Sequence, residues 1–328
     1  MLISLCLQYT YKMLKLLKYL LLTVVMLLLL ALIIPYFLPV SEGEIETEFK
    51  PYNNSYFKKI DHVNIHYRLW KPENVKGKVL LLHGFAGSTY TWRHTAQYLY
   101  DNGFMVLAAD MAPFGYSEKR KDIDFSFQKQ AQRLWELCLK TDSAGKWSFI
   151  GHSMGAQTAG MMAAIMPQKT DKLVFADGFF SNNMVPSDNQ LLSKISQLAP
   201  VMQLAEATGK NYFYNKEKFT ELLQSAYGQT PDTADVNAYL KPFRYKYLAS
   251  CILASMAQIN TTPKSFADVK APTLVIWGTK DTWIPLEKAE QFTESYPVIK
   301  LYKIENAGHC PMETHAKEFN SIVLNFLN

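Results

Sequence analysis

From Tyr19 to Ser41 no charged residue interrupts the chain, and Leu20 to Phe37 is almost wholly Leu, Ile, Val, Met and Ala. At about 1.5 Å per helical residue, such a run covers the roughly 30 Å of a bilayer's hydrocarbon, so the pattern predicts a spanning helix over 19–41. After Pro51 the rhythm changes. Val63-Asn64-Ile65-His66-Tyr67-Arg68-Leu69 alternates as a half-exposed strand does. Val79–Leu82, Phe104–Ala108, Ser148–Ile150, Leu173–Ala176 and Leu274–Trp277 are instead short, continuously apolar runs, the signature of strands covered on both faces, and they predict a parallel central sheet. Between them lie helical patterns, clearest at Phe127, Ala131, Leu134, Trp135, Cys138 and Leu139, with stop signals at Asn102-Gly103 and Pro167. From Phe180 to about Pro263 the short strand pattern disappears. Leu, Ala, Tyr and Phe recur there at helical spacing, broken by Gly228-Gln229-Thr230-Pro231-Asp232 and by Pro242, which predicts a helical cap inserted between two strands. Its aromatics (Tyr212, Phe213, Tyr214, Tyr227, Tyr239, Phe243, Tyr245, Tyr247) are read as packing, with a few lining a pocket. The resulting partition is a basic tail at 1–18, a membrane segment at 19–41, a core in two parts at 42–180 and 263–328, and the cap at 181–262.

With 328 residues, 48% hydrophobic and 19% charged, the chain buries a large core and is not disordered. Three of its five units of net positive charge are Lys12, Lys15 and Lys18, before the apolar run, and Glu42, Glu44, Glu46 and Glu48 follow it. Lysines stay in the cytoplasm. The expected arrangement is therefore a single-pass signal anchor with a cytoplasmic N-terminus and the remaining chain on the outer face. Ile33-Ile34-Pro35-Tyr36-Phe37 lacks the small residues of a cleavage site, no basic region precedes Cys6 as a lipoprotein signal requires, and a start at Met13 leaves the orientation unchanged. Asn53-Asn54-Ser55 and Asn260-Thr261-Thr262 match the glycosylation sequon without deciding anything. The single basic and aromatic cluster Phe243-Arg244-Tyr245-Lys246-Tyr247 reads as a helix face, and nucleic acid is not an expected partner. Cys6, Cys138, Cys251 and Cys310 show no disulfide framework. Among seven histidines there is no metal-ligand spacing; His62 and His66 share one face of a strand-like segment without a third ligand.

The chemistry is concentrated at Gly151-His152-Ser153-Met154-Gly155, which directly follows the strand pattern Trp147-Ser148-Phe149-Ile150 and precedes a helical one. This is a nucleophile elbow: two glycines permit the close approach that lifts a serine clear of the sheet. A serine hydroxyl needs a base, a carboxylate that orients the base, and donors for the oxyanion. His309, in Ala307-Gly308-His309 after the last strand, is the base candidate. Asp281, a few residues past Leu274–Trp277, is the carboxylate candidate, with Asp177 at the end of the strand after the elbow helix as its rival. The backbone N–H groups of Phe85 and Met154 are the oxyanion candidates, while His83 and His152 are assigned to support of the loop and the elbow.

Together, His83-Gly84-Phe85-Ala86-Gly87-Ser88, Asp110-Met111-Ala112-Pro113-Phe114-Gly115-Tyr116-Ser117, the elbow, and the Trp277-Gly278-Thr279-Lys280-Asp281 and Ala307-Gly308-His309 loops resemble the α/β-hydrolase superfamily, in its cap-bearing branch of esterases, lipases, C–C bond hydrolases and cofactor-free haloperoxidases. The resemblance runs from Val63 to Asn328. Ala112 departs from the usual Asp-x-Pro-Gly-x-Gly-x-Ser. Ser153 argues against the epoxide hydrolases and haloalkane dehalogenases, which use an aspartate nucleophile. The resemblance implies an α/β-hydrolase fold, with a mostly parallel sheet flanked by helices, and a Ser153, His309, Asp281 triad acting through an acyl-enzyme without metal or organic cofactor. The expected substrate is a small acyl ester, apolar or lipid-like; a C–C bond hydrolase on a diketone-like substrate and a non-catalytic tethered binding homologue are the alternatives. Oligomeric state is not legible.

Overall fold

The computed structural model describes residues 2–38, 50–181, 194–195, 198–213, 215–245, 247–258 and 264–328. Eight strands form one sheet: β1 (Ser55–Ile60), β2 (Val63–Trp70), β3 (Gly77–Leu82), β4 (Phe104–Ala109), β5 (Trp147–His152), β6 (Thr170–Ala176), β7 (Thr273–Gly278) and β8 (Lys300–Ile304), in the order β1-β2-β4-β3-β5-β6-β7-β8. β1 pairs antiparallel with β2 and β2 with β4, whereas all pairs from β4 to β8 are parallel. The apolar runs have a direct explanation. Leu80, Leu82 and Phe149 enter a core on one face of the sheet, and Val79, Leu81 and Ile150 enter a second core on the other, so neither side chain of an alternating pair meets water.

β1 has no such run. Its sequence, Ser-Tyr-Phe-Lys-Lys-Ile, is buried at its two ends and open between them, as an edge strand is. It joins β2 through Asp61 and His62, both with positive φ (45° and 62°), a two-residue hairpin turn. His62 therefore belongs to the turn and His66 to the buried strand, which corrects the reading that placed both on one strand face.

The first helix runs from Leu2 to Ile33 and continues as a 3-10 turn through Ile34–Phe37, so its backbone runs unbroken from the lysine-bearing stretch into the apolar run. Among the described residues, Tyr9–Phe37 is the one helix long and apolar enough to cross a membrane. Glu42, Glu44, Glu46 and Glu48 lie outside the described residues, as does the sequon at 260–262.

Between β6 and β7 the chain inserts the helices Ala199–Phe213, Lys216–Tyr227, Thr233–Leu240 and Leu248–Gln258. Asn215 caps the second helix by accepting from the N–H groups of Glu217 and Lys218, and Gly228, at φ 68°, ends it in a left-handed turn. Ala199–Phe213 packs on Leu248–Gln258 and on the Ile34–Phe37 turn. Tyr227, Tyr239 and Phe243 join the core on one sheet face, as the packing reading expects, together with Phe219 and Leu223; Tyr247 is exposed instead, and Tyr214 and the side chains of Tyr212 and Phe213 lie outside the described residues.

Candidate active site

β5 ends where the sheet's strand order reverses, between β3 and β5, the crevice where open parallel sheets place their ligands. Ser153 follows immediately, with φ 51° and ψ −117°, and its N–H donates to the Ala176 carbonyl at 2.9 Å. A serine held at positive φ is backbone strain at the foot of a helix, Met154–Ile165. The turn closes because of the two glycines. A Cβ on Gly151 would run into the Gly155 carbonyl, and one on Gly155 would run into the carbonyls of Leu82 and His83.

His309 arrives from the loop after β8. Its backbone N–H donates to the Ala226 carbonyl (2.7 Å), its own carbonyl accepts from His152 Nε2 (2.7 Å), and its ring stacks on Trp283 with centroids 5.2 Å apart. Its Nδ1 lies 2.7 Å from Asp281 Oδ2. A carboxylate accepts, so Nδ1 carries the proton and Nε2 is the basic nitrogen. Asp281 is in turn fixed by the N–H groups of Trp283 (2.8 Å) and Ile284 (3.0 Å), both donating to Oδ1.

Asp177, the sequence's rival acid, lies in the same cluster: one polar atom on each of Asp177, Asp281 and His309 falls within 4.8 Å of the others. Its Oδ1 accepts from the Gly278 N–H at 2.9 Å, and its Oδ2 is buried with no partner. Burial, reinforced by the Asp281 charge against the pull of the Gly278 N–H, pushes its carboxyl well above the usual carboxylate range. These three residues are also a donor set of the kind that holds a metal, but Asp281 Oδ2 and His309 Nδ1 already face each other.

Ser153 and His309 open onto one cavity of about 230 Å³, whose walls include Gly84, Phe85 and the inserted helices' Phe219, Leu222 and Leu223. Among the described residues the Ser153 hydroxyl has no hydrogen bond, so the serine and histidine are joined by the shared cavity and not by a bond. Phe85 lines this cavity, and Met154 opens the elbow helix, where a first-turn N–H has no partner within the helix.

The supporting histidines have defined tasks. His83 Nδ1 donates to the Gly84 carbonyl (2.7 Å) while Nε2 accepts from the Met111 N–H (2.9 Å), tying the Gly84–Ser88 loop to the loop after β4. His152 ties the elbow to the His309 loop. Ala112 precedes Pro113 through a cis bond, and its loop is held by Asp110, which accepts from the N–H groups of Thr89 (2.6 Å) and Tyr116 (2.7 Å).

Sequence reasoning did not single out Trp283, Arg93 or Glu313. Trp283 covers one face of the His309 ring, and its position two residues after Asp281 was the available signal. Glu313 lines the cavity and takes hydrogen bonds from Arg93, Tyr227 (2.7 Å) and Tyr239 (2.8 Å). Arg93 also pairs with Asp235 at 3.0 Å. Tyr227, Asp235 and Tyr239 belong to the insertion, and Arg93 and Glu313 to the sheet domain, so this cluster fastens one to the other.

A predominantly parallel eight-stranded sheet, an elbow serine on the strand beside the reversal, and acid and histidine on later strand ends define a hydrolase architecture. The family model for the alpha/beta hydrolase fold matches residues 78–316, and the chain belongs to that family. Lipase 3 of Moraxella sp. (strain TA144) is 28% identical over 251 residues, covering 75% of this chain and 76% of the lipase. The 2-hydroxy-6-oxononadienedioate/2-hydroxy-6-oxononatrienedioate hydrolase 1 of Pseudomonas putida is 24% identical over 272 residues, covering 81% and 92%. Among solved structures, a membrane phospholipase A described as a bacterial virulence factor shares the fold with a TM-score of 0.66 at 24% identity, covering 83% of this chain and 85% of the other.

Proposed function

We propose that this chain is a serine hydrolase that cleaves carboxylic esters with an apolar acyl part. The observation that carries the reading is the His309 Nδ1 to Asp281 Oδ2 bond, which leaves Nε2 as the base of a histidine lining the same cavity as Ser153. In the proposed reaction Ser153 Oγ attacks the carbonyl carbon as its proton passes to His309 Nε2. The N–H groups of Phe85 and Met154 receive the oxyanion, each such donor being worth about two to three powers of ten in rate. The intermediate collapses, the alcohol leaves with the proton from His309, and water cleaves the acyl-enzyme by the same route. No step calls for a metal or organic cofactor.

Support for an apolar acyl part comes from the wall of Phe85, Phe219, Leu222 and Leu223, and from the similarity to a lipase. C–C bond cleavage would use the same triad, and the Pseudomonas putida relative acts, by its name, on a dioate. A doubly anionic substrate calls for cationic side chains. Among the described residues no Lys or Arg lines this cavity, and nearby Arg93 is already bound to Glu313 and Asp235. Esters are therefore favoured. The inserted helices would act as the cap over the site, and the N-terminal helix as an uncleaved anchor with Lys12, Lys15 and Lys18 in the cytoplasm and the hydrolase on the outer face.

The decisive experiment is labelling of the full chain with a fluorophosphonate, together with turnover of an acyl-ester series and of a diketone dioate. Labelling and ester turnover that both vanish in Ser153→Ala are expected. Turnover of the dioate without the esters would replace this reading, and labelling that persists in Ser153→Ala would remove it.

A further inference from the structure

Two carboxyl groups meet His309, and they are not equivalent. A carboxylate offers about four lone-pair positions. On Asp281 three are filled, by the N–H groups of Trp283 and Ile284 at Oδ1 and by His309 Nδ1 at Oδ2. On Asp177 one is filled, by the Gly278 N–H, and Oδ2 is buried without a partner, while one of its carboxylate oxygens lies within 4.8 Å of Asp281 and His309. Neither is free to swing away. The Asp177 residue is fully buried, and its backbone, at φ 45°, is pinned by an N–H bond to the Ile276 carbonyl at 3.0 Å.

Two ionised carboxylates with oxygens within 4.8 Å of each other repel strongly when buried away from water. One proton removes that repulsion and also gives the orphaned Oδ2 something to do. We propose that Asp177 is a positioning residue that stays protonated at neutral pH and donates a hydrogen bond from Oδ2 to the Asp281 carboxylate, holding that carboxylate against His309. The proton settles on Asp177 because Asp281 has three donors to stabilise its charge and Asp177 has one. Burial of Asp177 acts in the same direction. Besides Asp281 and His309, the titratable group that faces this pair among the described residues is the Cys310 thiol, which burial pushes well above its ordinary range and so keeps neutral. No bond is made or broken in this role. A fourth donor completes the Asp281 shell and fixes the carboxylate that orients the imidazole and stabilises it once it has taken the Ser153 proton.

The inference rests on the triad reading for its catalytic consequence, but its readout does not. In the infrared difference spectrum of the full chain, wild type minus Asp177→Asn at neutral pH, the band lost is expected to be the C=O stretch of a protonated carboxyl. Loss of ionised-carboxylate bands instead overturns the proposal. Asp281→Asn supplies a reading independent of how the fold accepts Asp177→Asn: the protonated band must shift in frequency as its carboxylate acceptor becomes an amide, and an unmoved band overturns the proposal as well. In turnover, Asp177→Asn, which keeps a donor towards Asp281, should lower kcat less than tenfold, and Asp177→Ala should lower it further at unchanged KM. A loss of about 10⁴ in Asp177→Asn, the size expected for the ionised triad acid, would show the roles reversed. Failure of Ser153→Ala to abolish labelling would remove the proposed reaction while leaving the infrared result intact.

Discussion

Two aspartates stand within reach of one histidine, and the donors around each decide which is charged. Asp281→Asn exchanges a carboxylate for an amide that offers Nδ1 a donor and favours the wrong imidazole tautomer; ester turnover is expected to fall about 10⁴-fold with the thermal melt little changed, checked by steady-state kinetics beside calorimetry. The motifs identified Ser153, His309 and Asp281 as candidates because each sits at a fixed offset from a strand. They offered Asp177 as a competitor to Asp281, since spacing along the chain does not reveal that the ends of β6 and β7 bring two carboxyls together. A second consequence at this scale concerns pH. His152 is buried, and burial followed by the nearby His309 holds its pKa well below the ordinary histidine value; burial lowers that of His83 too. At these two imidazoles the unfolded chain thus binds protons that the folded one refuses, so their contribution to stability is full above about pH 6.5 and declines as pH falls below it, opposed in part by the single proton that folded Asp177 retains. Urea midpoints measured from pH 7.5 to 5 should fall accordingly, and less steeply in His152→Gln.

At the scale of elements, the parallel strands were legible because both their faces are covered, which leaves unbroken apolar runs in the sequence. β1 was not, because an edge strand bearing Lys58 and Lys59 has one open side and its pairing is fixed by the Asp61-His62 turn. The insertion was legible as helical, but its attachment was not. Arg93 and Glu313 lie 220 residues apart, and nothing in their local sequence marks them as partners of Tyr227, Tyr239 and Asp235. Burial raises the Glu313 carboxyl, and Arg93 opposes that shift. Removing the guanidinium strands a buried acid, so Arg93→Met should destabilise the protein by about 3–5 kcal/mol. The double variant Arg93→Met/Glu313→Gln should recover part of that loss. Thermal and chemical denaturation of the three proteins read this directly; equal stability of Arg93→Met and wild type would mean that the cluster does not fasten the insertion.

For the whole molecule, the N-terminal apolar helix and the candidate site lie far apart in the sequence. The proposed anchor should keep the full chain in the membrane fraction through an alkaline carbonate wash, while a chain beginning at residue 50 should be released; retention of the shorter chain would assign membrane binding to the hydrolase part. Protease added to sealed cells should reach the hydrolase and spare the lysine-bearing end. The expected direction of the span rests on flanking charge alone, whereas the continuity of the first helix from Leu2 was not legible, because Lys12, Lys15 and Lys18 interrupt the apolar pattern without interrupting the backbone.

At the other end of the sheet, Ser55 Oγ lies 2.8 Å from His66 Nε2, and His66 Nδ1 lies 2.6 Å from Asp110 Oδ2. The same three kinds of side chain are linked in the same sequence there, yet Ser55 is 1% exposed and the other two are fully enclosed. What separates the reagent from the strut is an approach path: Ser55 spends its hydroxyl bracing the β1–β2 hairpin, out of reach of any inhibitor, and a warhead that reacts with hydrolases should modify the protein at a stoichiometry of one.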